Sequence, residues 1–95
     1  MKFAFLILGD FDMQRDRAVI HEGTAQIWGV SSLEEACSAA KQLQDEGIDC
    51  IELCGAFGTE GTRKMIAATQ NRVPIGYVTH LPGQDALYRK LFENE

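Results

Sequence analysis

Lys2 to Leu8 (K-F-A-F-L-I-L), continuously apolar from Phe3 on, is closed by Gly9-Asp10. A run of that length ending on turn residues predicts a strand covered on both faces, as in the middle of a parallel sheet. Residues 9–23 are polar and turn-like at first. Arg17 to His21 then reads either as a short strand, paired through Glu22-Gly23-Thr24 with a second strand at Ala25 to Val30, or as part of a short helix over 13–20; the Gly23 turn favours the hairpin. From Ser31 the period changes. Leu33, Ala36, Cys37, Ala40 and Leu43 recur at three- and four-residue steps, while Glu34, Glu35, Lys41, Gln42 and Asp45 occupy the opposite side. This is one buried helical stripe. Ser31 and Ser32 stand three residues before Glu34 and Glu35, a double opportunity for a capping box, and Gly47 sits where a left-handed residue ends a helix.

Asp49 to Cys54 follows as a strand, and Thr59 is the expected cap of a second helix over 60–70 with Met65, Ile66 and Thr69 turned inward. Val73 to Thr79 is the next strand, with Pro74 near its start. After Pro82-Gly83, Leu87, Tyr88, Leu91 and Phe92 define a last amphipathic helix. Two successive helix-strand units specify a parallel sheet with right-handed crossovers. The expected fold is α/β, with a small open, mainly parallel sheet, an antiparallel hairpin strand and about three covering helices. An eight-stranded barrel needs more than about 200 residues. Open sheets have edges to shield and 95 residues supply few helices, which favours a homo-oligomer.

Length and composition narrow the partners. A chain of 95 residues fits one domain, and 45% hydrophobic with 24% charged residues is the balance of a folded globular protein. Nine basic against fourteen acidic residues give a net charge of −5 without any cluster of Lys and Arg, so nucleic acid is not an expected partner. The longest apolar run is far below the roughly 20 residues of a membrane span and shorter than a signal-peptide core. Cys37, Cys50 and Cys54 are an odd count with no C-x-x-C pair. Reduced thiols and a cytoplasmic location are expected.

In open parallel sheets ligands bind beyond the carboxyl ends of the strands. Here those ends are Gly9-Asp10, Cys54 to Gly58 and Thr79-His80, bringing a carboxylate, a thiol and an imidazole to one rim. The loop C-G-A-F-G-T-E-G spaces Gly55, Gly58 and Gly61 by three; it is neither the dinucleotide fingerprint nor a P-loop. Its glycines either satisfy a tight turn or let backbone amides near Thr59 approach an anion. Asp10, Gly55, Phe57, Gly58 and Thr59 are thus the candidate ligand-binding residues. Cys54 and His80 form a candidate nucleophile and base, although spacing alone names no third group to orient the imidazole. Glu52 lies mid-strand between Ile51 and Leu53, so it is either an acid-base candidate if buried or a carboxylate on a partly open or subunit-contacting face. A metal would have to draw on Cys54, His80, His21 and Asp10 or Asp12, which share no ligand spacing, and no metal or cofactor is expected. Trp28 reads as core.

The strings I-E-L-C-G-A-F-G at 51–58, G-Y-V-T-H at 76–80, F-A-F-L-I-L-G-D at 3–10 and G-V-S-S-L-E-E-A at 29–36 resemble, nearly end to end, a family of short proteins known only as a domain of unknown function. The resemblance implies a small cytoplasmic α/β protein and carries over no catalytic residue. Three readings therefore stand: a protein holding a polar or anionic small molecule at the strand ends, an enzyme using Cys54, Glu52 or His80, and a homo-oligomeric interaction subunit whose sheet edge or last helix docks another chain.

Overall fold

The computed structural model describes residues 1–93, with strands β1 (Phe3–Leu8), β2 (Arg17–Ile20), β3 (Ala25–Val30), β4 (Cys50–Leu53) and β5 (Ile75–Tyr77), and helices α1 (Leu33–Asp45), α2 (Gly58–Ala68) and α3 (Asp85–Glu93). The strands form one sheet in the order β2-β3-β1-β4-β5; only the β2–β3 pair is antiparallel. Of the two readings of residues 13–23, the hairpin is the one observed. Its turn carries His21 and Glu22 at positive φ (49° and 55°), followed by Gly23 at 94°.

The α1 stripe forms as its spacing predicts, with Ala36, Ala40 and Leu43 fully buried, joined by Ala39, while Leu33 and Cys37 are half-buried. Ser32 caps the helix, its Oγ accepting from the Glu35 N–H at 3.0 Å, and the Glu35 carboxylate reaches back to the Ser31 N–H at 2.9 Å. The box is thus built from both serines. At the other end Gly47 takes φ +85° and the Ile48 N–H returns to the Leu43 carbonyl.

Thr59 does not cap α2. The helix starts one residue earlier, and the Thr59 hydroxyl is paired at 3.0 Å with the Tyr77 phenol instead. What lets the chain enter α2 is Gly58, at φ 60° and ψ −172°, a conformation open essentially to glycine alone. Met65 and Thr69 are fully buried as expected, whereas Ile66 is only half-buried and Thr62 takes an inward place.

The main correction concerns β1, which is covered on one face rather than two. Ala4 and Leu6, with Trp28, Val30, Ile51 and Leu53 in register beside them, form the buried face beneath α1 and α2. Topology explains this asymmetry. The crossovers β3-α1-β4 and β4-α2-β5 both move in the same direction along the sheet, so one handedness places both helices on the same side. The remaining link, from β1 to β3, passes through β2 and contributes no helix. Phe3, Phe5, Ile7, Ala18, Ile20, Ala25 and Ile27 therefore line a face with neither helix on it. Phe11 folds back over part of it, lying against Gly29, where an added Cβ would come within 2.5 Å of the Phe11 ring. The third helix is present, but it has no buried residue and stands at the strand ends rather than over the sheet.

Candidate functional site

Parallel alignment of β1, β4 and β5 brings their carboxyl ends to one edge, as the ladder bonds beyond the strands show: Cys54 N–H to Leu6 carbonyl and Val78 N–H to Leu53 carbonyl. Past that edge β4 turns through a single 3-10 turn, Gly55–Phe57, into α2, while β5 runs on through Val78, Thr79 and His80 to a second such turn, Pro82–Gln84, that starts α3. Between them lies a cavity of about 770 Å³ lined by Cys54, Gly55, Ala56, Tyr77, Val78, Thr79, His80, Tyr88 and Phe92. Most of its wall is aromatic or aliphatic, with a few polar groups converging on it, the usual make-up of a small-molecule site.

His80 is held from two directions. Its ring stacks on Tyr88, with centroids 4.0 Å apart and planes within 6° of parallel, and its Nε2–H donates to Asp85 Oδ1 at 2.5 Å. The carboxylate thereby fixes the ring's orientation and leaves Nδ1 for another partner. Asp85 is the orienting group that spacing alone could not name: it opens α3 five residues beyond His80, across the Pro82 turn. The Cys54 sulfur is half-buried against the core and accepts from the Leu8 N–H at 3.3 Å. In the 3-10 turn, Phe57 N–H bonds to the Cys54 carbonyl and Gly58 N–H to that of Gly55. Gly55 and Ala56, which precede them, are the turn's first residues, whose amides have no partner within it. Both line the cavity.

Of the sequence candidates, Cys54, Gly55 and His80 thus meet at one cavity. The others do not. Phe57 is 5% exposed and packs in the core beneath the turn. Gly58 serves the entry to α2, Thr59 bonds to Tyr77, and Asp10 is an exposed loop residue outside the cavity lining. Glu52 lies on the bare face of the sheet, exposed, its carboxylate over Gly76, whose missing side chain gives it room. Of the two readings of Glu52, the open-face one describes this position. Beside it, burial raises the Cys50 thiol pKa above its ordinary value, assisted by the charges of Glu52 and Asp49. Among the described residues no group of three or more His, Cys, Asp or Glu side chains is placed to hold a metal ion. Nor is any helix among them long and apolar enough to cross a membrane.

Sequence reasoning missed the cavity's other walls. Tyr77 and Ala56 carried no signal beyond strand and loop placement, and Tyr88 and Phe92 read only as one face of an amphipathic helix. No curated protein and no solved structure matches the chain. The sequence model of a family of unknown function (DUF6506) matches residues 1–93, and the chain belongs to that family.

Proposed function

We propose that the protein binds a small molecule with a flat apolar body and a polar or anionic head group in the cavity between the β4 and β5 exits and α3. The observation that carries this reading is the convergence, on a cavity of about 770 Å³, of an aromatic wall (Tyr77, Tyr88, Phe92) with the Asp85-held imidazole of His80 and the Gly55 and Ala56 amides. Apolar area drives the body into the site, and the few donors fix its orientation. Exposed Asp85 makes the His80 side less welcoming to a full negative charge, so the head group belongs nearer the Gly55-Ala56 turn, whose first N–H groups have no partner within it. Three free thiols are consistent with work in a reducing compartment such as the cytoplasm.

Calorimetry with 2-naphthoate, an aromatic carboxylate of suitable shape, tests the proposal. Saturable binding is expected, weakened by about tenfold or more in Ala56→Leu, which fills the cavity from an exposed position, and in Tyr88→Ala. Equal affinity in all three proteins would reject it.

One observation supports a second, catalytic reading: Cys54 receives a backbone amide on its sulfur and lines the same cavity as a carboxylate-oriented histidine. That reading requires rapid alkylation of Cys54 near neutral pH that slows in His80→Ala. Alkylation indifferent to His80 leaves the binding role alone.

A further inference from the structure

Among the described residues, two apolar surfaces lack cover: the sheet face opposite α1 and α2, and the outward edge of α3. On the sheet, Ile20 and Ile27 are 65% and 38% exposed, and Phe11 beside them 37%. On α3, Tyr88 and Phe92 turn toward the cavity, while Leu87 and Leu91 remain 63% and 62% exposed. We infer that the bare sheet face is the seat of α3 from a second copy of this chain, the two copies exchanging helices about a two-fold axis.

Size agrees with this pairing. Five strands about 4.8 Å apart span roughly 19 Å. The nine-residue α3 is about 14 Å long and about 10 Å across, so one helix fits on the face. At about 200 Å² for a large apolar side chain, the exposed parts of Leu87, Leu91, Phe11, Ile20 and Ile27 come to about 530 Å² per copy. Two reciprocal contacts give about 1,060 Å², just above the roughly 1,000 Å² that a specific interface has to clear. Charge agrees too. Glu52 borders the bare face with no ion pair among the described residues, while Arg89 flanks the apolar stripe of α3. The helix does not cover its own sheet because the His80–Tyr88 stack and the His80–Asp85 bond hold it at the rim. An isologous pairing satisfies both surfaces at once and leaves no further copy to recruit.

The test is sedimentation equilibrium of the full chain over a wide concentration range, together with isotope-filtered NOE spectra of a mixture of ¹³C-labelled and unlabelled protein. A dimer is expected, with intermolecular NOEs from the Ile20 and Ile27 methyls to Leu87 and Leu91. Leu87→Asp/Leu91→Asp is expected to sediment as a monomer with an unchanged circular dichroism spectrum, since neither side chain is buried. Glu52→Lys is expected to weaken the dimer by a few-fold, less so at high salt. A wild-type monomer at the highest concentration overturns the inference. So does a dimer whose intermolecular NOEs join sheet to sheet and leave α3 out, or one that Leu87→Asp/Leu91→Asp does not disturb.

Discussion

Two apolar hollows among the described residues differ in what surrounds them. The rim cavity has an oriented imidazole, two phenols and two amides of a 3-10 turn around its aromatic wall; the hollow on the bare sheet face, about 350 Å³, is lined by Phe3, Phe5, Ala18, Ile20, Ala25, Gln26 and Ile27. A small molecule needs polar groups to fix its orientation, whereas a broad hydrophobic surface with charged groups only at its edge suits another protein surface. Both hollows have one origin. Two crossovers of the same sense put α1 and α2 on one side, so the opposite face stays bare and α3 is left to stand at the strand ends.

The sharpest way to break this contrast is to compare substitutions on the two faces of the sheet. Leu6→Ala, on the helix-covered face and fully buried, is expected to cost about 2–5 kcal/mol in urea unfolding. Ile27→Ala, on the bare face, is expected to cost about 1 kcal/mol or less at concentrations where single copies prevail. Similar losses at both sites would mean that the bare face is covered within one chain.

Two glycines sharpen the comparison further. Gly29→Ala places a methyl group against the near end of the Phe11 side chain, so that ring must leave the bare face; a loss of about 1–3 kcal/mol is expected, with a changed Phe11 NMR environment. Gly58→Ala forces a side chain onto φ 60°, ψ −172°, and is expected to cost about 1–3 kcal/mol although nothing stands within 4 Å of the added carbon. Gly58 therefore serves the turn, while Gly55 and Ala56 line the cavity.

The smallest effect concerns Cys50, at the edge of the bare face. Burial, then the charges of Glu52 and Asp49, raise its thiol pKa, so its alkylation rate is expected to climb with pH later than that of an unstructured cysteine. Glu52→Gln is expected to move the profile back down. Because the folded chain holds this proton more tightly than the unfolded one, its contribution to stability is level below the ordinary thiol pKa and declines as pH rises through and beyond it.

Much of this architecture was legible from periodicity. The α1 stripe, the Ser31-Ser32 cap and the Gly23 turn are local signals, each set by residues a few positions apart. The bare face was not legible, because an apolar run such as Phe3 to Leu8 looks the same whether its second face meets a helix or another molecule. Strand order decides that, and strand order is not a local property. At the site, Cys54, Gly55 and His80 followed from the rule that parallel strands open at their carboxyl ends. Asp85, Tyr77 and Tyr88 did not, since their roles depend on where α3 comes to rest. Glu52 looked like chemistry because a mid-strand carboxylate is costly in a sheet covered on both sides, and it lost that reading once one side proved open.

The claim on which this account most depends is that the rim cavity, and not the sheet face, receives the small molecule. Titration of ¹⁵N-labelled protein with 2-naphthoate, followed by two-dimensional NMR, tests it residue by residue. Saturable shifts confined to residues 54–56, 77–80, 88 and 92 are predicted. Shifts centred on residues 3, 5, 18, 20, 25 and 27, or no saturable shifts at all, would contradict it.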